Sequence, residues 1–172
     1  YHRPNTRVLV TENQGLAAAR NHAIRHANGE YLCALDSDDK LHPTYFEHAT
    51  SRLDSDPALT FVSSWVQMFG TSDALWKQDT CDLPTLLSEC TVMTPALVRA
   101  DAVRSVGGYD TQMPDQGDED WDLWISLAER GYRGTIIPEI LFYYRRRPGS
   151  MCEVCTTGET HLRLVRYIMG KH

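Results

Sequence analysis

The stretch Gly29-Glu-Tyr-Leu-Cys-Ala-Leu-Asp36-Ser37-Asp38-Asp39 decides how this 172-residue chain is to be read. Tyr31 to Leu35 is an apolar run bounded by Gly29 and by a polar cluster, which predicts a short buried strand in the middle of a sheet. Three carboxylates, Asp36, Asp38 and Asp39, follow within four residues. Crowding them costs like-charge repulsion, which raises at least one pKa unless a cation or hydrogen-bond donors offset it. A hard divalent cation, Mn²⁺ or Mg²⁺, suits such oxygens and bridges readily to phosphates. Ligands of open α/β sheets gather beyond the carboxyl ends of the strands, where this cluster falls. An Asp- and Ser-rich turn would look the same in isolation, so the flanking sequence has to decide.

Upstream, Arg7 to Val10 reads as a strand, Asn13-Gln-Gly15 as a turn, and Leu16 to His26 as a helix closed by Asn28-Gly29. Downstream, a helix is expected over Thr44 to Leu53, a strand over Leu59 to Met68, and a covering loop over Thr71 to Leu83. Thr85 to Glu89 reads as a helical turn, and Pro95 to Val106 as a helix stopped by Gly107-Gly108. An acidic loop from Met113 to Glu119 leads into an amphipathic helix over Trp121 to Arg130. Gly134 to Ile137 and Leu141 to Tyr144 read as extended, Arg145-Arg146-Arg147 as a basic run, and Glu159 to Met169 as a last helix. Strands alternating with helices imply an α/β fold with a mostly parallel central sheet flanked by helices.

The composition is that of one globular domain, 42% hydrophobic and 23% charged. A net charge of −6 argues against nucleic acid as partner, since a basic face would be needed to meet its phosphates. Five cysteines in no disulfide-scaffold spacing point to a reducing cytoplasm. Cys152 and Cys155 form one CxxC with no second pair, which reads as two ordinary thiols rather than a zinc site. No apolar run is long enough to span a bilayer.

Three strings in this order carry a resemblance. NQGLAAARNHAIRHANGEYLCALDSDD, from Asn13 to Asp39, resembles the nucleotide-sugar-binding half of family 2 glycosyltransferases of the GT-A (Rossmann-like) fold. GGYDTQMPDQGDEDWDLWISLAERGYR, from Gly107 to Arg133, is similar to the acceptor-side half of that family, and YYRRRPGSM to its closing basic segment. The resemblance implies a single domain over 1–172: a nucleotide-sugar half to about residue 70, an acceptor-side half over about 71–151, and a C-terminal helix or tail over 152–172. The family opens with an apolar strand and a helix that this chain does not show, which implies a domain incomplete at its N-terminus.

The resemblance also implies the chemistry. The family's inverting hexosyltransferases, many of polysaccharide biosynthesis, move a sugar from a nucleoside-diphosphate donor to a carbohydrate or lipid-linked acceptor with Mn²⁺ or Mg²⁺. Asp36 and Asp38 match the DxD motif, with Asp38 the main metal ligand and Asp36 on the ribose or the metal, and Asp39 as a neighbour able to do either. Asp120, paired with Glu119, matches the catalytic base. Gly15, Arg20 and Asn21 match positions near the nucleotide, and Arg145, Arg146 and Arg147 the segment that meets the diphosphate. Trp121 adjoins the acidic pair as a candidate substrate contact, although its spacing with Trp124 reads as core. Such a domain would work in the cytoplasm, with peripheral association at the inner membrane face for a lipid-linked acceptor.

Physical chemistry supports the same division of labour. A departing nucleoside diphosphate gains negative charge that a cation and guanidinium groups stabilise. A sugar hydroxyl attacks well only when a positioned carboxylate accepts its proton. Two other functions stay open on the sequence alone: a non-catalytic or truncated nucleotide-sugar-binding fragment, and a nucleotidyltransferase. The second would open with a Gly-rich phosphate loop, which is not found.

Overall fold

Alternating side chains on two long strands set the architecture. The computed structural model describes residues 4–155 and 157–172, with the backbone alone for residues 154 and 155. The Cys155 thiol of the Cys152–Cys155 pair therefore lies outside the described residues. In order, the elements are α1 (Leu16–His26), β1 (Tyr31–Leu32), β2 (Lys40–Leu41), α2 (Tyr45–Ser55), β3 (Leu59–Gly70), β4 (Leu75–Trp76) and α3 (Leu83–Leu86). β5 (Leu97–Arg99), α4 (Ala100–Ser105), α5 (Glu119–Glu129), β6 (Arg133–Arg146), α6 (Met151–Cys155) and α7 (Gly158–Lys171) follow.

The sheet has the order β1-β5-β3-β6-β2, with β4 pairing beside β3. Its backbone is the parallel β3–β6 ladder, running from Leu59 opposite Arg133 to Gly70 opposite Arg146. The other four pairings are short and antiparallel. The expected parallel sheet is thus realised in its longest ladder, within a mixed sheet.

Successive residues of a strand face opposite sides, and the two cores follow from that. Val62 and Leu97 face α2, where they join Tyr45, Ala49, Leu53, Ile137 and Leu141. Phe61 and Val98 face the other way, against Trp121, Leu123, Trp124, Ile125 and Leu127 of α5, with α1 packed on that layer through Ala17 and Ile24. The Phe61 and Trp124 rings lie 5.1 Å apart between centroids, which fixes α5 over the sheet. Gly134 makes this possible: a Cβ there would come within 2.0 Å of the Phe61 ring.

Several sequence expectations change. Arg7 to Val10 pairs with no strand, and Val8 and Val10 stand 80% and 89% exposed. An apolar run becomes a strand only where a ladder partner receives its N–H and C=O groups. The run before the acidic cluster pairs only at Tyr31 and Leu32, half-buried at the edge of the sheet rather than in its middle. Within Pro95 to Val106, Leu97–Arg99 is strand β5, slotted between β1 and β3, and the helix begins only at Ala100. A strand of three residues is too short to display a period that would set it apart from the helix it leads into.

Elsewhere the differences are of extent. The loop after β3 contains β4, which pairs Trp76 with Val66. The two C-terminal extended pieces are one strand, β6, whose register slips where Ser64 opposite Ile137 gives way to Trp65 opposite Ile140. Pro138 lies in that slip, where no ladder N–H is required of it. Lys40–Leu41 forms a strand not foreseen, and its pairing with Phe142 and Tyr143 ties the acidic loop to β6.

Candidate functional site

The acidic loop, the start of α5 and the end of β6 meet around one cleft of about 220 Å³, whose lining includes Arg20, Asp36, Asp39, Asp118, Asp120 and Tyr144. β1 and β2 fix the two ends of the acidic loop, and a backbone bond from Asp39 N to Asp36 O at 3.2 Å closes it into a turn. Arg145 then grips it from β6: its backbone N donates to Asp39 Oδ1 at 2.8 Å and its Nε to the Asp38 carbonyl at 3.0 Å. The Arg145 guanidinium lies 4.5 Å from the centre of the Phe69 ring. Arg147 Nε stands 3.3 Å from Asp38 Oδ2 in an exposed pair, a geometry worth little by itself. Arg146 instead donates to Cys152 Sγ. The basic run therefore divides, with Arg145 and Arg147 on the acidic loop and Arg146 on α6.

On the other side, α5 begins at Glu119. Asp120 Oδ2 accepts a 2.6 Å hydrogen bond from the Thr94 hydroxyl, and its Oδ1 accepts from the Trp121 backbone N at 2.9 Å. Three acids, Glu119, Asp120 and Asp122, crowd the first turn, where the helix macrodipole favours negative charge. Glu119 is buried among them, and burial first, then Asp120, pushes its carboxyl upward against the pull of Arg20.

Arg20 joins the two sides. It is 9% exposed, on the inner face of α1. Its Nη2 donates to Asp36 Oδ1 at 2.8 Å and its Nη1 to Glu119 Oε1. Burial works against its charge, yet Tyr109, Glu119, Asp36 and Asp120 together hold its pKa above the ordinary arginine value. Asn21, the next residue, spends both amide atoms on Tyr109, donating to its carbonyl at 2.7 Å and accepting from its N at 2.8 Å. Gly15 has a positive φ at the start of α1, and a Cβ there would meet the Gln116 amide at 2.6 Å. Asn21 and Gly15 thus shape α1's seating rather than line the cleft.

Trp121 is a correction. It is buried in the core, and its indole N–H donates to the Leu86 carbonyl at 2.6 Å, which leaves no face for a substrate. Position on α5 decides this, because Trp121 points to the layer that holds Leu123 and Trp124, away from the cleft.

Thr94, Asp118 and Gln116 were not foreseen. Thr94 carries no local signal: it lies 26 residues from the carboxylate it serves. Gln116 Oε1 accepts from the Leu16 N at 2.9 Å and so caps α1 across 100 residues of sequence. Asp118 has φ 56 and ψ 13, a left-handed conformation that Asp tolerates better than most residues. Its Oδ2 is buried without a hydrogen-bond partner among the described residues.

Two carboxyls of the cleft are raised to about 6: Asp39, by burial and then by Asp38 and Asp36 against the Arg145 N–H, and Asp118, by burial and then by Asp120. The consequence for stability runs opposite to the usual carboxylate case. Between the ordinary value of 3.8 and about 6 the folded protein keeps a proton that the unfolded chain has released. Stability present below that window is therefore lost as pH rises through it. Asp118→Asn is expected to raise the melting temperature at pH 7 and to reduce its fall between about pH 4 and 6. Thermal unfolding at four pH values checks this. An unchanged slope would mean that Asp118 is solvated.

A divalent cation would find Asp36 and Asp38, both about 40% exposed at the turn. Among the described residues no three His, Cys, Asp or Glu side chains converge as a metal cage.

The chain matches the family model described as "Glycosyl transferase family 2" over residues 1–104, from before α1 to the end of α4. It belongs to that family. Asp120 and the basic run lie beyond the matched span, so their membership of the site rests on the geometry above. This family 2 domain is 30% identical over 141 residues to EpsE of Bacillus subtilis, which has a glycosyltransferase name, across 77% of this chain and 49% of EpsE. It is 22% identical over 152 residues to the Escherichia coli UDP-Glc:alpha-D-GlcNAc-diphosphoundecaprenol beta-1,3-glucosyltransferase WfaP, across 86% of this chain and 59% of WfaP. In fold it resembles S. aureus TarS 1–349 in complex with UDP-GlcNAc, with a TM-score of 0.70 at 15% identity over 93% of this chain and 48% of that one. That likeness is one of fold. The chain spans about half the length of the relatives it matches.

Proposed function

We propose that this family 2 domain takes part in moving a sugar from a nucleoside-diphosphate donor to a hydroxyl of a carbohydrate or lipid-linked acceptor, with inversion and with a divalent cation. One observation carries the reading: a single cleft presents the acidic loop on one side and Asp120, oriented by Thr94, on the other. Direct displacement needs that separation, since the leaving group and the attacking hydroxyl stand on opposite faces of the anomeric carbon. The TarS complexes with UDP-GlcNAc and with UDP support a nucleotide donor, and WfaP, a diphosphoundecaprenol-directed glucosyltransferase, supports a lipid-linked acceptor. No helix among the described residues is long and apolar enough to cross a membrane. A lipid-linked acceptor would meet this domain at the cytoplasmic membrane face.

In this reading Asp36 and Asp38 hold the cation, which when bound supplies positive charge to the departing diphosphate. Arg145 keeps the loop in shape from below, and Arg147 adds a guanidinium within reach of the same phosphates. Asp120, held by Thr94 and by the Trp121 N–H, accepts the acceptor's proton. Titration calorimetry with UDP and with GDP, each with and without Mn²⁺, tests the donor half. Asp38→Asn is expected to abolish the Mn²⁺-dependent part of nucleotide binding and leave the fold intact. An unchanged Mn²⁺ dependence in that variant would remove Asp38 from the cation site.

A further inference from the structure

Glu119 and Arg20 line the cleft, yet both are nearly closed to solvent and are already paired with each other. Their contacts suggest another task. We infer that Arg20 is a positioning residue that links the donor side of the cleft to the acceptor side, so that nucleotide binding at the acidic loop steadies the helix start that carries Asp120. The inference rests on the function proposed above.

The geometry is that of a fork. One guanidinium nitrogen holds Asp36 at 2.8 Å, and the other holds Glu119, the residue before Asp120. A guanidinium can serve two carboxylates at once in fixed directions, which an ammonium cannot do with the same rigidity. The fork is braced from behind. Gln116 caps α1 at Leu16, and Asn21 clamps Tyr109, whose ring lies 5.3 Å from the Arg20 carbon. These ties sew α1 to the segment that leads into α5. Arg20 alone of the three also reaches the acidic loop.

A ligand that orders Asp36 therefore orders one arm of the fork, and the other arm restrains Glu119. Because Glu119 and Asp120 share the first turn of α5, restraint of one limits the other. Site-to-site coupling of this kind is expressed as the change that one site's ligand makes in the other site's equilibrium. The acceptor side should thus be firmest when the donor is in place.

The test compares the native chain with Glu119→Gln and Arg20→Lys. Backbone amide exchange is read at residues 119–122 without ligand and with UDP and Mg²⁺. In the native chain UDP is expected to slow exchange at these amides by about fivefold or more. Glu119→Gln should bind UDP within about twofold of the native chain, since Glu119 bonds to Arg20 and not to the acidic loop, yet show little of that slowing. Arg20→Lys should likewise lose it. A purely structural ion pair predicts another result: variants that are less stable but respond to UDP at residues 119–122 as the native chain does. That result overturns the inference.

A second measurement needs no donor. Asp36→Asn, Glu119→Gln and their double variant are compared by urea unfolding without nucleotide, in the Arg20 chain and in Arg20→Met. Coupling between the two carboxylates should change the unfolding constant by about fivefold with Arg20 present and vanish without it. Additivity in both backgrounds overturns the fork. If the native chain binds no UDP, the donor reading fails, and this cycle alone decides whether Arg20 couples the two carboxylates.

Discussion

Asp120→Asn is expected to lower turnover by about two orders of magnitude or more while nucleotide affinity stays within about twofold, the usual signature of losing a general base. The substitution keeps the shape and one acceptor oxygen, enough for the Thr94 hydroxyl but not also for the Trp121 N–H. The larger loss is the ability to take a proton from the acceptor. A role confined to the helix start predicts the reverse, a small loss of stability from one fewer negative charge at the N-terminus of α5 and near-normal turnover. Turnover and nucleotide affinity measured on the same variant separate the two. Thr94→Val gives a graded check: it should lower turnover less than Asp120→Asn does, because the carboxylate remains but is no longer oriented.

Arg20→Met should destabilise the fold by about 3–5 kcal/mol, the cost of leaving a buried charge without its partner. Arg20 and Glu119 are 9% and 6% exposed, so water can replace little of the lost interaction. Glu119 bears most of the loss, because the half-exposed Asp36 can be solvated. The double variant Arg20→Met, Glu119→Leu should recover much of the stability, since an apolar pair of similar volume does not carry the desolvation cost of a broken ion pair. Urea midpoints measure both. A loss below about 1 kcal/mol in the single variant would mean that Glu119 is protonated or hydrated in the folded state. Turnover should not recover in the double variant even where stability does, because the link to Asp36 is gone.

Much of the candidate site is legible in the sequence because its residues are close in the chain. Asp36, Asp38 and Asp39 are neighbours, and the resemblance of the surrounding strings points to the acidic loop, the acidic pair and the basic segment, of which the structure brings Asp36, Asp39 and Asp120 to one cleft. α1, α2, α5 and α7 were foreseen because an amphipathic face repeats at a period the sequence displays. The strands were harder. β5, only three residues long, displays no period of its own and reads as part of the helix that follows it. The run before the acidic cluster was placed in the middle of the sheet, whereas its pairing stops after Leu32 at the edge.

The sequence by itself determined an α/β domain, the family, and which carboxylates and arginines to suspect, because residue type and short spacing carry that information. Only the tertiary structure decided what each touches. It ties Arg20 to both Asp36 and Glu119, puts Trp121 in the core, divides Arg145 and Arg147 from Arg146, and brings Thr94 to Asp120. Each of these depends on contacts between residues distant in sequence, or on the face of an element that meets the cleft. Both are fixed when the sheet is packed against its helices, and neither leaves a trace in the local pattern of the chain.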